Sequence, residues 1–198
     1  MRRPLLVAAA GLALAAGCVL AVTAADDGAD GAPGGAPGAV RAAAQATVLA
    51  PGDRQDAPAL AGGDLDGRPV ALDGFRGDVV VLNVWGSWCA PCRAEAGDLE
   101  RLSRETRSAG VRFLGINTRD RDRSAALAFV RAHGLSFPSL HDPDGDLLLR
   151  FPPALLNPQA VPSTLVIDRR GRVAVAIGGA VTDEQLRPLV TRVAQEDS

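Results

Sequence analysis

Residues 79–95 read VVVLNVWGSWCAPCRAE, and three features of that run set the expectation for the fold. VVVLNV is continuous, apolar and β-branched, the pattern of a central strand buried on both faces. Cys89 and Cys92 follow at Cys-x-x-Cys spacing. Pro91 lies between them, where a first helical turn tolerates a missing N–H, and Arg93 to Ser108 then reads as a helix closed by Gly110. A strand running into a helix across a cysteine pair puts the chemistry at the C-terminal edge of a sheet, where open α/β folds bind and react.

The segments downstream repeat the alternation. VRFLGIN (111–117) reads as a second buried strand. Asp122 is placed to cap a helix whose apolar residues Leu127, Phe129 and Val130 precede Gly134. SFPSLHDPDGDLLLRF (136–151) contains a short strand, a turn and another brief element. TLVID (164–168) and RVAVAIGG (172–179) flank Arg-Arg-Gly as an antiparallel hairpin. Thr182 and Gln185 form a capping box ahead of Leu186, Leu189, Val190 and Val193. Upstream, GDLDGRPVAL (63–72) carries two Asp/Gly turn signals and reads as an edge hairpin. The expected architecture is α/β, a mixed sheet with helices on both faces.

The cysteine pair admits three readings. A zinc site needs two further ligands, and His133, His141 and Cys18 offer no recognisable ligand spacing. A structural bridge gains little by closing so short a loop. A redox couple fits the context best. At the helix start, unpaired amides and the positive end of the dipole favour a Cys89 thiolate as nucleophile. Cys92, one turn further in, suits the resolving thiol.

Outside that domain the chain has a different character. Arg2 and Arg3 precede an uncharged run from Leu5 to Ala25, so residues 1–25 read as a signal peptide or membrane anchor. Within it LALAAGC (12–18) resembles a bacterial lipobox, with Cys18 as the residue to be lipidated and Ala15 in place of the commoner Leu. Lipidation, a retained anchor and ordinary cleavage all place the remainder outside the cytoplasm. Residues 26–52 are dominated by Ala, Gly, Pro and Asp and read as a disordered tether, giving a reach of about 30–35 Å from Cys18 to about residue 55. The folded domain is expected over residues 53–198. A net charge of −2 with 21 Arg and no Lys gives no nucleic-acid footprint, and there is no phosphate loop or other cofactor site.

The stretches VVVLNVWGSWCAPCRAE and AVPSTLVIDRRGRV (160–173) resemble the TlpA/ResA/DsbE group of extracytoplasmic thiol–disulfide oxidoreductases. GDLDGRPVALDGFRGD (63–78) is similar to the N-terminal hairpin of the wider redoxin (AhpC/TSA-like) superfamily. The resemblance covers about residues 56–196. It implies a thioredoxin fold with an N-terminal hairpin extension and a central insertion. It implies that Val161-Pro162 is a cis dipeptide facing the disulfide and binding an extended substrate backbone. It also implies that Glu95 lies beneath the active site, tuning the cysteines and moving protons.

Asn83 stands where cytosolic thioredoxins carry a buried acid, which leaves Glu95 as the proton carrier. Trp85 is expected to pack, and Trp88 to shape the surface around Cys89. Gly97 departs from the pattern, since the family often has a helix-kinking Pro there. The segment around FPPALLNPQA (151–160) matches nothing assignable and lies beside Pro162.

The resemblance implies protein substrates held by mixed disulfide, apocytochrome c among them, and an integral membrane thiol reductase as electron donor. The expected activity is reduction of protein disulfides for cytochrome c maturation. A disulfide-donating oxidase, a peroxidase and a non-redox binding module with an inert bridge remain as alternatives, although two close cysteines at a helix start argue against the peroxidase.

Overall fold

The computed structural model describes residues 45–196. The targeting segment, Cys18 and most of the tether lie outside the described residues. Eight strands and three α-helices follow in order: β1 (Gln45–Val48), β2 (Ala61–Gly63), β3 (Pro69–Ala71), β4 (Val79–Trp85), α1 (Ala90–Thr106), β5 (Val111–Thr118), α2 (Arg123–His133), β6 (Ser139–Asp142), β7 (Ser163–Ile167), β8 (Val173–Gly178) and α3 (Asp183–Gln195). Six strands form one mixed sheet in the order β1-β8-β7-β4-β5-β6. β4, β5 and β6 run parallel, and β7, β8 and β1 are each antiparallel to their neighbours.

β4 is central, and every one of its residues is buried, as its unbroken apolar run requires. Its side chains alternate between faces. Val79 and Val81 meet Leu99 and Leu102 of α1 and Leu186, Val190 and Val193 of α3. Val80, Leu82 and Val84 point to the other face, where Leu60, Leu72, Leu148, Phe151 and Leu156 cover them. Helical cover on that second face is limited to 3-10 turns at Leu72–Phe75 and Leu148–Arg150. α2 adjoins α1 over Trp85, through Ala126 and Phe129. The segment 151–160 is thus partly a core element, since Phe151 and Leu156 are buried.

The hairpin expected over 63–72 exists as β2 and β3, a two-stranded sheet of its own. It leans on the β6 edge through the Asp64–Leu140 bridge. α2 carries the expected caps: the Asp122 carboxylate accepts from Ser124 N, and Gly134 closes the helix at φ 64°. The Thr182–Gln185 capping box opens α3. Gly171, at φ 82°, makes the β7–β8 turn, in which Asp168 accepts from the Arg170 and Arg172 amides.

One boundary needs correcting. β1 lies inside the segment expected to be a tether, because Gln45–Val48 pairs with β8 from Gln45–Gly178 to Val48–Val175. Edge pairing is made by backbone groups and needs little side-chain hydrophobicity. Arg54 then ties this start to the end of the chain. Its guanidinium, almost wholly buried, contacts Asp168 Oδ2 at 3.1 Å and Glu196 Oε2 at 2.6 Å. Among the described residues no helix is long and apolar enough to cross a membrane.

Candidate active site

α1 begins at Ala90, three residues earlier than its apolar pattern suggested, so Cys89 is its N-cap. Cys89 has extended backbone angles, and its Sγ accepts a hydrogen bond from Cys92 N at 3.2 Å. This is the geometry that lets a sulfur occupy the place of a capping oxygen. Pro91 lies in the first turn, where no intrahelical bond asks for its missing N–H. Cys89 and Cys92 are joined as a disulfide, and both are buried. Cys89 Sγ lies 3.8 Å from the Val161 carbonyl oxygen, and the Val161–Pro162 peptide is cis. The strand–turn–helix and the start of β7, far apart in sequence, therefore meet at the sulfur.

Beneath the pair lies a buried polar group. Asn83, on β4, donates from Nδ2 to Glu95 Oε1 at 2.9 Å and to Thr164 Oγ1 at 3.1 Å. Glu95 Oε2 accepts from Val181 N at 2.9 Å. Glu95 is 1% exposed, yet both its oxygens are met by donors, as a buried carboxylate demands. Asn83 and Thr164 are register partners across β4 and β7, so the sheet brings them together. Helical spacing puts Glu95 one turn from Cys92 on the same face. α1 runs without interruption through Gly97, so the residue that replaces a kinking Pro leaves Glu95 in place.

The two tryptophans divide their roles. Trp85 is 2% exposed, stacks on Phe129 with ring centroids 4.6 Å apart, and donates from Nε1 to Ser139 Oγ. Trp88 is 47% exposed and is held by a bond from Nε1 to the Thr118 carbonyl. Gly86 makes room for it, because a Cβ there would meet Trp88 Nε1 at 2.5 Å.

Sequence reasoning missed the support of this loop. Asp120, 6% exposed, accepts from Ser87 N at 2.8 Å, Ser87 Oγ at 2.6 Å and Asn117 Nδ2 at 2.6 Å. It pins the residue before Trp88 from a neighbouring strand end. The only available signal was the interruption of an apolar strand by Asn117 and Asp120. Thr164 and the Val181 amide were likewise unmarked, since neither carries a motif. Among the described residues no cluster of three His, Cys, Asp or Glu side chains could hold a metal. His141 donates from Nε2 to the Asp120 carbonyl, and His133 packs on Phe129.

A bridged cysteine pair at a helix N-terminus can cycle between disulfide and dithiol, one sulfur attacking a partner and the other resolving the adduct. Comparison with known proteins agrees. The AhpC/TSA family model matches residues 54–176. The thiol-disulfide oxidoreductase ResA of Bacillus cereus (strain ATCC 10987) is 30% identical over 139 residues, 70% of this chain and 77% of that protein. The crystal structure of a secreted thiol-disulfide isomerase from Corynebacterium glutamicum superposes with a TM-score of 0.67 at 34% identity, covering 76% of this chain and 92% of that one. A secreted Mycobacterium tuberculosis disulfide oxidoreductase, homologous to Escherichia coli DsbE, gives 0.58 at 27% identity, with 69% and 96% covered. The bridged pair, the thioredoxin-type sheet and these relatives together make the chain a member of the AhpC/TSA family, of the thiol–disulfide oxidoreductase kind.

Proposed function

We propose that the protein is an extracytoplasmic, membrane-tethered reductant of protein disulfides, acting in cytochrome c maturation. The observation that carries the direction of electron flow is the sparse stabilisation of Cys89. Among the described residues its Sγ takes one hydrogen bond, from Cys92 N, and faces the Val161 carbonyl oxygen. A strong oxidant is one whose reduced form, with its thiolate, is heavily stabilised. One amide and an opposing carbonyl oxygen favour the disulfide of this protein instead, hence a low potential.

In the reaction so read, the Cys89 thiolate attacks one sulfur of a substrate disulfide. A mixed disulfide forms and the other substrate sulfur leaves as a thiolate, which takes a proton. Glu95 accepts the proton of the Cys92 thiol. Cys92 then attacks Cys89 Sγ, closing the internal disulfide and releasing the second substrate sulfur. Two electrons have passed to the substrate. A dithiol on an integral membrane reductase restores the pair by the reverse exchange. Trp88, Val161 and Pro162 form the wall against which the substrate backbone lies.

The extracytoplasmic reading is supported by residues 1–25 and by the secreted relatives, and the tether by Cys18 as a lipidation site. The cytochrome role rests on the resemblance to the TlpA/ResA/DsbE group. Equilibration of the Cys89/Cys92 pair in glutathione or dithiothreitol buffers tests the direction. The expected potential is near or below about −270 mV, and a value towards about −120 mV would make the protein an oxidase. Resistance to dithiothreitol would make the bridge structural. Trapping with Cys92→Ser is expected to capture an apocytochrome or a membrane thiol reductase.

A further inference from the structure

Trp88 stands exposed beside the buried sulfur, and arginines bracket it. Arg119 Cζ lies 5.9 Å from the Trp88 ring centroid. Arg93, one residue beyond Cys92, donates from Nη1 to the Ser87 carbonyl at 2.6 Å. Arg121 follows in the same exposed loop as Arg119. Among the described residues none of the three pairs with a carboxylate. Elsewhere Arg101, Arg104 and Arg187 do find acids. The acids of the same loop are committed: Asp120 is turned inward to Ser87 and Asn117, and Asp122 caps α2. The rim of the active site is therefore left cationic.

Arg119 is also held there at a cost. It is the only non-glycine residue among the described residues with positive φ, at 60°, a region that disfavours an L side chain. Its Nη2 donates to the Pro158 carbonyl at 2.7 Å and to Gln159 Oε1 at 3.3 Å. Those bonds clamp the guanidinium between Trp88 and the unassigned segment 151–160. Nε and Nη1 keep no acceptor among the described residues, which leaves N–H donors of the guanidinium unspent. A pre-oriented guanidinium with unspent donors attracts a carboxylate by charge and by a charge-assisted hydrogen bond.

We propose that Arg119, with Arg93, selects partners whose reacting cysteine is flanked by Asp or Glu. The inference rests on the thiol–disulfide exchange described above and names the substrate class of that site. A carboxylate beside the target cysteine docks on Arg119 while the sulfur meets Cys89. A flanking Lys or Arg meets the same charge and is repelled. Complementary charge of this kind raises encounter rate and sets orientation.

The test uses the reduced protein and three symmetrical peptide disulfides, identical except for Glu, Gln or Lys on either side of the cysteine. Each turnover oxidises Cys89 and Cys92 to the disulfide and yields two peptide thiols, which are counted. The expected order of rates is Glu, then Gln, then Lys, with each step roughly two- to fivefold, the range of an exposed ion pair. About 0.5 M salt should compress the ratios. Arg119→Gly should narrow them, Arg119→Glu should invert them, and adding Arg93→Gln to Arg119→Gly should abolish them. Glycine suits the left-handed backbone, so the first variant keeps the fold, as a thermal melt will register. Equal rates for the three peptides, or ratios unchanged in all variants, would overturn the proposal. Failure to reduce any peptide would overturn the exchange reading as well, a distinct result.

Discussion

Replacing Asp120 separates two reasons for keeping a carboxylate buried beside the active-site loop. If geometry is the reason, asparagine should serve nearly as well. The oxygen in the Oδ2 position still accepts from both Ser87 N and Asn117 Nδ2. The amide nitrogen then faces Ser87 Oγ, which rotates from donor to acceptor, so all three contacts survive. Neutral bonds are weaker than charge-assisted ones, but no charge is buried, and the net cost of Asp120→Asn should be about 1 kcal/mol. Alanine removes every acceptor. Asn117, fully buried, then has an orphaned amide, worth about 2 kcal/mol, while the half-buried Ser87 loses two bonds at about 1 kcal/mol each. The expected loss is about 4 kcal/mol, a large share of the stability of an ordinary domain. It should lower Tm by about 8–16 °C. Urea melts of the oxidised protein measure the stabilities, and the second-order rate of peptide disulfide reduction reports the loop. Asp120→Asn should keep most of that rate, whereas Asp120→Ala should lower it as Ser87 and Trp88 loosen. Equal destabilisation by the two substitutions would refute the hydrogen-bond argument and put the charge itself in its place.

Two further outcomes follow from the packing and the ion pairs. Gly97→Ala should stabilise the protein by about 0.5–1 kcal/mol, since Gly97 lies inside α1 and an added Cβ would meet nothing within 4 Å; an unchanged or lower urea midpoint would count against this. The second outcome concerns acid. Hydrogen bonding by Arg54 holds Glu196 below its ordinary value. At Asp168 burial pushes the carboxyl up, but bonds from the Arg172 amide and from the Arg54 and Arg172 side chains outweigh it and leave the value lowered. A lowered carboxyl stabilises above its unfolded value and loses that contribution as pH falls through the folded one. Stability should therefore decline as pH drops past 4.5 and 3.8, the unperturbed values of these groups. Asp142, raised by burial, runs the other way and softens the decline. Arg54→Met should cost about 2–3 kcal/mol at neutral pH, where it leaves Asp168 and Glu196 without their shared cation, and less at pH 3. A loss that does not depend on pH would show that Arg54 acts by packing alone.

Much of the site could be read along the chain because its causes are local. An unbroken β-branched run before the cysteines specifies a buried strand, and the cysteine spacing with Pro91 specifies a helix start. The Thr182–Gln185 box and the caps at Asp122 and Gly134 act within four residues, and each appears where the sequence placed it. β1 was hidden for the opposite reason. Its pairing with β8 is a backbone interaction between residues more than a hundred positions apart, and the Ala-rich composition around it signals disorder.

The polar machinery around the disulfide belongs to the same non-local class. Glu95 could be suspected from its place on α1, but only the register of β4 with β7 brings Asn83 to Thr164, and only the return of the chain before α3 brings the Val181 amide to Glu95. Asp120 reaches Ser87, and Arg119 reaches Trp88 and Pro158, because parallel β4 and β5 end side by side. Hydrogen bonds and charge contacts extend over a few ångströms, so their effect depends on which distant residues the sheet makes neighbours. The sequence by itself thus determined most of the elements and the position of the cysteine pair. The tertiary structure alone decided which side chains hold the loop, meet the buried carboxylate and present charge to a partner.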